Sequence, residues 1–231
     1  MGDALLLEWD GILVDTRALR AQALARALEE ERLPPGFATS AEDGPDDEAD
    51  VEQVIGDALA RGGHADDQTL REIVALRARR AFAERLAQGV SLVPGGAEFL
   101  ASCESRARIV IVTRAARTET EQLVRQAGWE AMTSSIVASD DVAADGAPGT
   151  QIARALDQLS RRGISRVSDV ILVGRAISAF RAARSLGVRT VVVGAPAHVA
   201  VEADGAVSSL VGQTFDSVAR LARSTVIPNA R

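Results

Sequence analysis

The most constraining stretch of this chain is residues 4–16, ALLLEWDGILVDT. Four apolar residues run into two carboxylates spaced one residue apart and then a glycine. That is the pattern of a buried parallel strand whose carboxyl end opens into a crevice. Alternate residues of a strand share a face, so Glu8 and Asp10 are expected to converge on one small volume. Gly11 lets the chain turn tightly after them. Two acids so placed suit a cation or general acid chemistry.

The rest of the chain reads as support for that strand. The segment TRALRAQALARALEEERL has apolar residues at helical spacing and ends at Pro34, Pro35 and Gly36. Six acids then fall between Glu42 and Asp50, in an order that fits no calcium loop and reads as a solvated segment. VEQVIGDALARG and DQTLREIVALRARRAFAERLAQG carry two more helical patterns, so residues 17–90 form a mostly helical insertion. Past Ser91 the pattern changes to apolar runs alternating with helices: RARIVIVT, a helix over 114–128, SSIVAS, GTQIARALDQLSRRG, SDVILVG, AISAFRAARSLG and RTVVVG. A weaker strand near 206–209 and a helix over 215–223 follow. Such alternation predicts an α/β fold, a Rossmann-like parallel sheet with helices on both faces, made of residues 1–16 and 91–231 with the helical insertion between them. Ligands of these sheets bind outside the carboxyl ends of the strands.

Composition narrows the function. A net charge of -6 with arginine scattered among acids gives no basic face for nucleic acid. No apolar run approaches the roughly 20 residues that span a bilayer, and the chain does not open on a secretion signal, so a cytoplasmic protein is expected. Cys103 is the only cysteine and reads as a small packing residue, while His64 and His198 lie far apart in Gly- and Ala-rich surroundings and read as turn residues. Lysine and tyrosine are absent, so all 26 basic side chains are arginine. A mechanism that needs a side-chain ammonium is therefore excluded.

The first stretch resembles the opening motif of the haloacid dehalogenase superfamily, Asp-x-Asp-Gly-Thr with a further acid a few residues on. It matches at Asp10, Gly11 and Asp15 and departs at Glu8, where the family has its aspartate nucleophile, and at Ile12. The order of elements resembles the subgroup with a small helical cap, to which beta-phosphoglucomutase and phosphoglycolate phosphatase belong. LVPGGAEFLA is similar to the helix after the cap, and VGRAISAFRAARSLGVRTVVV to the fourth-motif region. The resemblance implies phosphoryl transfer to an aspartate with magnesium neutralising charge, a reaction in which placement is strict.

Against that family pattern, four parts can be compared. Glu8 stands at the nucleophile position, its extra methylene moving the carboxylate by roughly 1 Å, and Asp10 at the general-acid position. Thr113 matches the hydroxyl that binds phosphoryl oxygens, although a helix cap explains it equally well, and Arg114 follows where Asn or Ser is common. Aligned on Pro148, Asp145 takes the place of the family lysine. Arg175 takes the place of the magnesium-binding aspartate. These swaps suggest a metal-free site in which the Arg175 guanidinium pairs with Glu8 or Asp10; the plainer reading has Arg175 reaching solvent. The leading function is a catalytically inactive pseudo-phosphatase that binds a protein partner or a small anion, with Thr113, Arg114 and Arg175 as anion-binding candidates. The alternative is an active phosphatase, mutase or dehalogenase-like hydrolase built on Glu8 and Asp10. No cofactor is implied by the first reading, and Mg2+ only by the second. A third class, a protein–protein module, would draw on Trp9 or the acidic segment, but Trp9 reads first as a packing residue under the helical insertion.

Overall fold

The computed structural model describes residues 3–34, 48–142, 148–164 and 166–224. The chain divides into two compact units, one made of Met1–Val14 with Leu92–Arg231 and one of Asp15–Ser91. In the first unit six strands form one sheet in the order β5-β4-β1-β6-β7-β8. They are β1 (Asp3–Glu8), β4 (Ala107–Val112), β5 (Ser135–Val137), β6 (Val170–Gly174), β7 (Arg189–Val193) and β8 (Gly205–Val207), every pairing parallel. β1 lies in the middle, with Leu7 opposite Ile111 of β4 on one side and Val173 of β6 on the other. The winding runs outward from β1 through β4 to β5, then returns to β6 and runs the other way. A crevice forms at such a reversal, at the carboxyl ends of the strands.

Both faces of β1 are covered, which is why Ala4, Leu5, Leu6 and Leu7 are all fully buried and why the strand shows no polar alternation. Ala4 and Leu6 pack with Ile152, Leu159 and Phe180 from helices α6 (Pro148–Arg161) and α7 (Ile177–Ser185). Helices α4 (Gly96–Cys103) and α9 (Phe215–Arg223) pack on each other and against β4 and β7. Each fully buried leucine is worth about 2 kcal/mol of transfer free energy. Cys103 is buried at the end of α4, and burial pushes its thiol up to about 12, which makes it an inert packing group.

The second unit is helical: α1 (Arg17–Glu30), α2 (Glu48–Arg61) and α3 (Gln68–Leu86). Leu24, Leu28, Ile55, Leu59 and Val74 form its core, and Asp67 caps α3 by accepting from the Leu70 amide. Arg77 reaches from α3 to both Glu30 and Glu31 at the end of α1. Two short strands, β2 (Val14–Asp15) and β3 (Ser91–Leu92), pair with each other where the chain passes between the units. Of the acidic run, residues 42–47 lie outside the described residues, and Glu48 and Asp50 belong to the start of α2. No helix among the described residues is long and apolar enough to cross a membrane.

The sequence predicts a helix from Arg114, but α5 begins only at Arg117 (Arg117–Gln126). The reason is local competition for backbone groups. The Thr113 hydroxyl accepts from the Ala115 amide at 3.0 Å, and Ala116 is extended. The freed turn is tied instead to the segment after β5. Ser139 donates its amide to the Ala115 carbonyl, and the Arg117 amide donates to Asp140. The Arg117 guanidinium meets the Asp141 carboxylate and the Ile136 carbonyl, while the Ala138 amide donates to Asp141 at 2.8 Å. Burial pushes the Asp141 carboxyl upward, but Arg117 and the Ala138 amide outweigh it and hold it below the usual carboxylate range.

Two outcomes follow. Gly95 opens α4 with a φ of +82°, and a Cβ there would sit 2.4 Å from the Val211 amide nitrogen. Gly95→Ala should therefore cost at least about 2 kcal/mol in a denaturant titration. A carboxylate whose folded pKa is depressed contributes stability above its unfolded pKa and loses it as pH falls through the folded one. Asp141→Asn should lower Tm by about 3 °C at neutral pH, the gap to the natural protein closing below the ordinary carboxylate range when both are scanned by calorimetry.

Candidate functional site

The site is built where β1, β4 and β6 end together. β1 stops at Glu8, and the chain then turns through Trp9, Asp10 and Gly11, whose φ is +74°. Gly11 donates its amide to the Val14 carbonyl at 2.7 Å, and Leu13 donates to the carbonyl of Trp9. Trp9 is buried with 1% exposure, its ring edge-on to Trp129 at 6.2 Å between centroids. Its packing partner thus lies in the sheet-bearing unit, after α5. At that burial it offers no exposed anchor for a partner.

Glu8 is half-buried and points toward the loop that joins β6 to α7. Its Oε2 accepts from the Arg175 amide at 2.6 Å and from the Ala176 amide at 3.1 Å. Burial pushes its carboxyl above the ordinary range; the two amide bonds and the charges of Arg114 and Arg175 oppose that without cancelling it. Desolvation therefore favours the protonated form, which is a poor nucleophile and a poor metal ligand. Asp10 lies beyond the end of the strand, half-buried in the turn, and its backbone bridges to Val14.

Arg175 contacts Glu8 through its backbone and not through its side chain. Among the described residues the Arg175 guanidinium makes no ion pair with Glu8 of the kind the sequence suggests, although its charge still acts on that carboxyl. The Glu8 oxygen is already taken by the amides of the loop that carries Arg175, so the side chain leaves in another direction. It runs over Gly11, where an added Cβ would come within 2.9 Å of Cδ and 3.1 Å of Nη1, and its Nη2 reaches the Gly194 carbonyl at 3.5 Å. Lacking a Cβ, Gly11 permits that approach.

Thr113 follows β4 and is buried, with 4% exposure. Its amide donates to the Val137 carbonyl and its hydroxyl oxygen accepts from Ala115, as a turn cap does, which leaves the hydroxyl proton available to donate. Arg114 beside it is exposed and close enough for its charge to act on Glu8. Asp145, the residue at the family lysine position, lies outside the described residues.

Two residues escape a motif-based reading. Gln151 is 3% exposed on α6, and its Nε2 donates to the Thr113 carbonyl at 2.9 Å, fixing the end of β4. A polar residue on the helix face otherwise made of Ile152, Ala155 and Leu159 was the available signal. Gly174 is the other, because a Cβ there would lie 2.4 Å from Glu8 Oε2.

The magnesium ion implied by the family does not fit these residues. Among the described residues no group of three His, Cys, Asp or Glu side chains is assembled that could hold a metal ion. The Glu8 oxygen that would ligate is bound to two amides, and a guanidinium lies against Gly11, next to Asp10. A divalent cation would meet a fixed positive charge where it needs an oxygen.

Comparison with known proteins agrees with the architecture. The solved structure of CbbY from Rhodobacter sphaeroides in complex with phosphate superposes with a TM-score of 0.69 at 19% identity, over 94% of this chain and 99% of that one. Beta-phosphoglucomutase from Clostridium difficile gives 0.68 at 15% identity, over 96% and 97%. The putative hydrolase YfnB from Bacillus subtilis, solved bound to magnesium, gives 0.62 at 15%, over 91% and 96%. No curated protein sequence gives a significant match. The family profile of haloacid dehalogenase-like hydrolases matches residues 5–193, running from the buried strand that ends at Glu8 to the end of β7. With that profile spanning most of its length, the chain belongs to the haloacid dehalogenase-like hydrolase family.

Proposed function

We propose that this family member no longer transfers phosphoryl groups and instead holds a small oxyanion, a phosphate or carboxylate, at the carboxyl edge of its sheet without a metal ion. The observation that carries this reading is the Arg175 side chain lying over Gly11, at the position where the family keeps a magnesium-binding aspartate. The charges of Arg114 and Arg175 both act at the Glu8 end of the strand, and guanidinium groups bind phosphate and carboxylate through paired N–H donors. The Thr113 hydroxyl adds a neutral donor beside them. That CbbY was solved with phosphate supports the choice of ligand class.

Hydrolysis asks for parts that are missing here. An in-line attack needs a free, ionised carboxylate held at the phosphorus, whereas one Glu8 oxygen is engaged with two amides. The ammonium that pairs with the nucleophile has no counterpart, because the chain contains no lysine. Binding therefore outlasts chemistry at this site.

Two measurements test the reading. Purified protein should show no turnover of p-nitrophenyl phosphate above buffer, with or without magnesium. Calorimetric titration with inorganic phosphate should show binding that is unchanged by magnesium and weakened at least about tenfold in the Arg114→Ala, Arg175→Ala double variant. Magnesium-dependent turnover, or a natural protein that binds no phosphate, overturns it.

A further inference from the structure

We propose that Glu8 has become a structural clasp: its carboxyl ties the end of β1 to the loop between β6 and α7 through the amides of Arg175 and Ala176, doing with hydrogen bonds what a metal ion does for the acids of an active family site. The ladder between β1 and β6 ends at Leu7 opposite Val173. Beyond it the two strands part, and Arg175 and Ala176 carry the next backbone donors along that loop. Ala176 is the N-cap residue of α7, and its own side chain offers no cap. Glu8 Oε2 accepts from both amides, at 2.6 and 3.1 Å, so two donors at the start of the helix are satisfied from a different strand.

The fit is specific to the pair Glu8 and Gly174. A Cβ on Gly174 would fall 2.4 Å from Oε2 and 2.9 Å from Cγ of Glu8, so the glycine makes room for the longer acid. An aspartate at position 8 ends about 1.5 Å sooner, one carbon–carbon bond short of the amides. Restoring the residue that the family uses is thus not a repair, since it releases the loop. The proposal stands on this geometry and holds whether or not the site binds phosphate.

Hydrogen exchange at the Arg175 and Ala176 amides, read by NMR alongside Tm, tests it. In the natural protein both amides should be protected, and neither a chelator nor millimolar magnesium should change their exchange or the Tm. Glu8→Gln keeps the acceptor and should keep the protection, with Tm unchanged within about 1 °C. Glu8→Asp and Glu8→Ala should exchange at least about tenfold faster at these two positions and melt about 4 °C lower. Unprotected amides in the natural protein, an aspartate variant as protected and as stable as the natural chain, or a rise in Tm with magnesium would each overturn the clasp. Should the shortened variants fail to fold, the measurements on the natural protein and on Glu8→Gln still decide the matter.

Discussion

The structure depends on β1 being sealed on both faces and paired on both edges. A strand in that position carries its acids only at its two ends, Asp3 and Glu8. Glu8 occupies the last paired position of the strand, opposite Val112 of β4. There the side chain is only partly covered, and the ladder to β6 has already run out. A carboxyl in such a place must find donors within the protein or remain uncharged, and it does the first while being pushed toward the second. The neighbouring features are compatible with it: a glycine at 174, an arginine whose side chain lies over Gly11, and a helix that starts without a side-chain cap of its own.

Seen in this way, the departures from the family pattern are coupled. The extra methylene at position 8 extends the carboxyl onto the loop after β6, where it accepts from two amides. An arginine at 175 is compatible with that arrangement because only its backbone faces Glu8. On the other side of β1, Thr113 keeps its place at the end of β4, secured by Gln151 from α6 and by its own hydroxyl. The end of β4 is thus fixed independently of the contacts that Glu8 makes on the other side of β1.

Much of this was legible in the residues. The unbroken apolar runs of β1, β4 and β6 name the central strands, because only strands covered on both faces lack alternation, and the interleaved helices fix the parallel order. The resemblance carried by Asp10, Gly11 and Asp15 gave the family. What could not be read was direction. The spacing of Glu8 and Asp10 says that their side chains leave a strand on one face, but β1 ends at Glu8, so Asp10 obeys the geometry of a turn instead. The opposite charges of Arg175 and Glu8 suggest a pair, yet the amide of Arg175 is closer and competes first. The late start of α5 depends on a hydroxyl that takes the Ala115 amide, a choice that helix propensity does not contain. Gln151 is hidden for the opposite reason, since its role is defined by a carbonyl 38 residues away.

The edge-on contact of Trp9 with Trp129 has a practical consequence. These are the chain's two tryptophans, there is no tyrosine, and both rings are enclosed at one spot directly after Glu8. The intrinsic ultraviolet emission of the protein therefore originates from a single location at the strand end. Its intensity and colour serve as a built-in optical gauge of that locality, free of background from the helical unit, and need no attached dye.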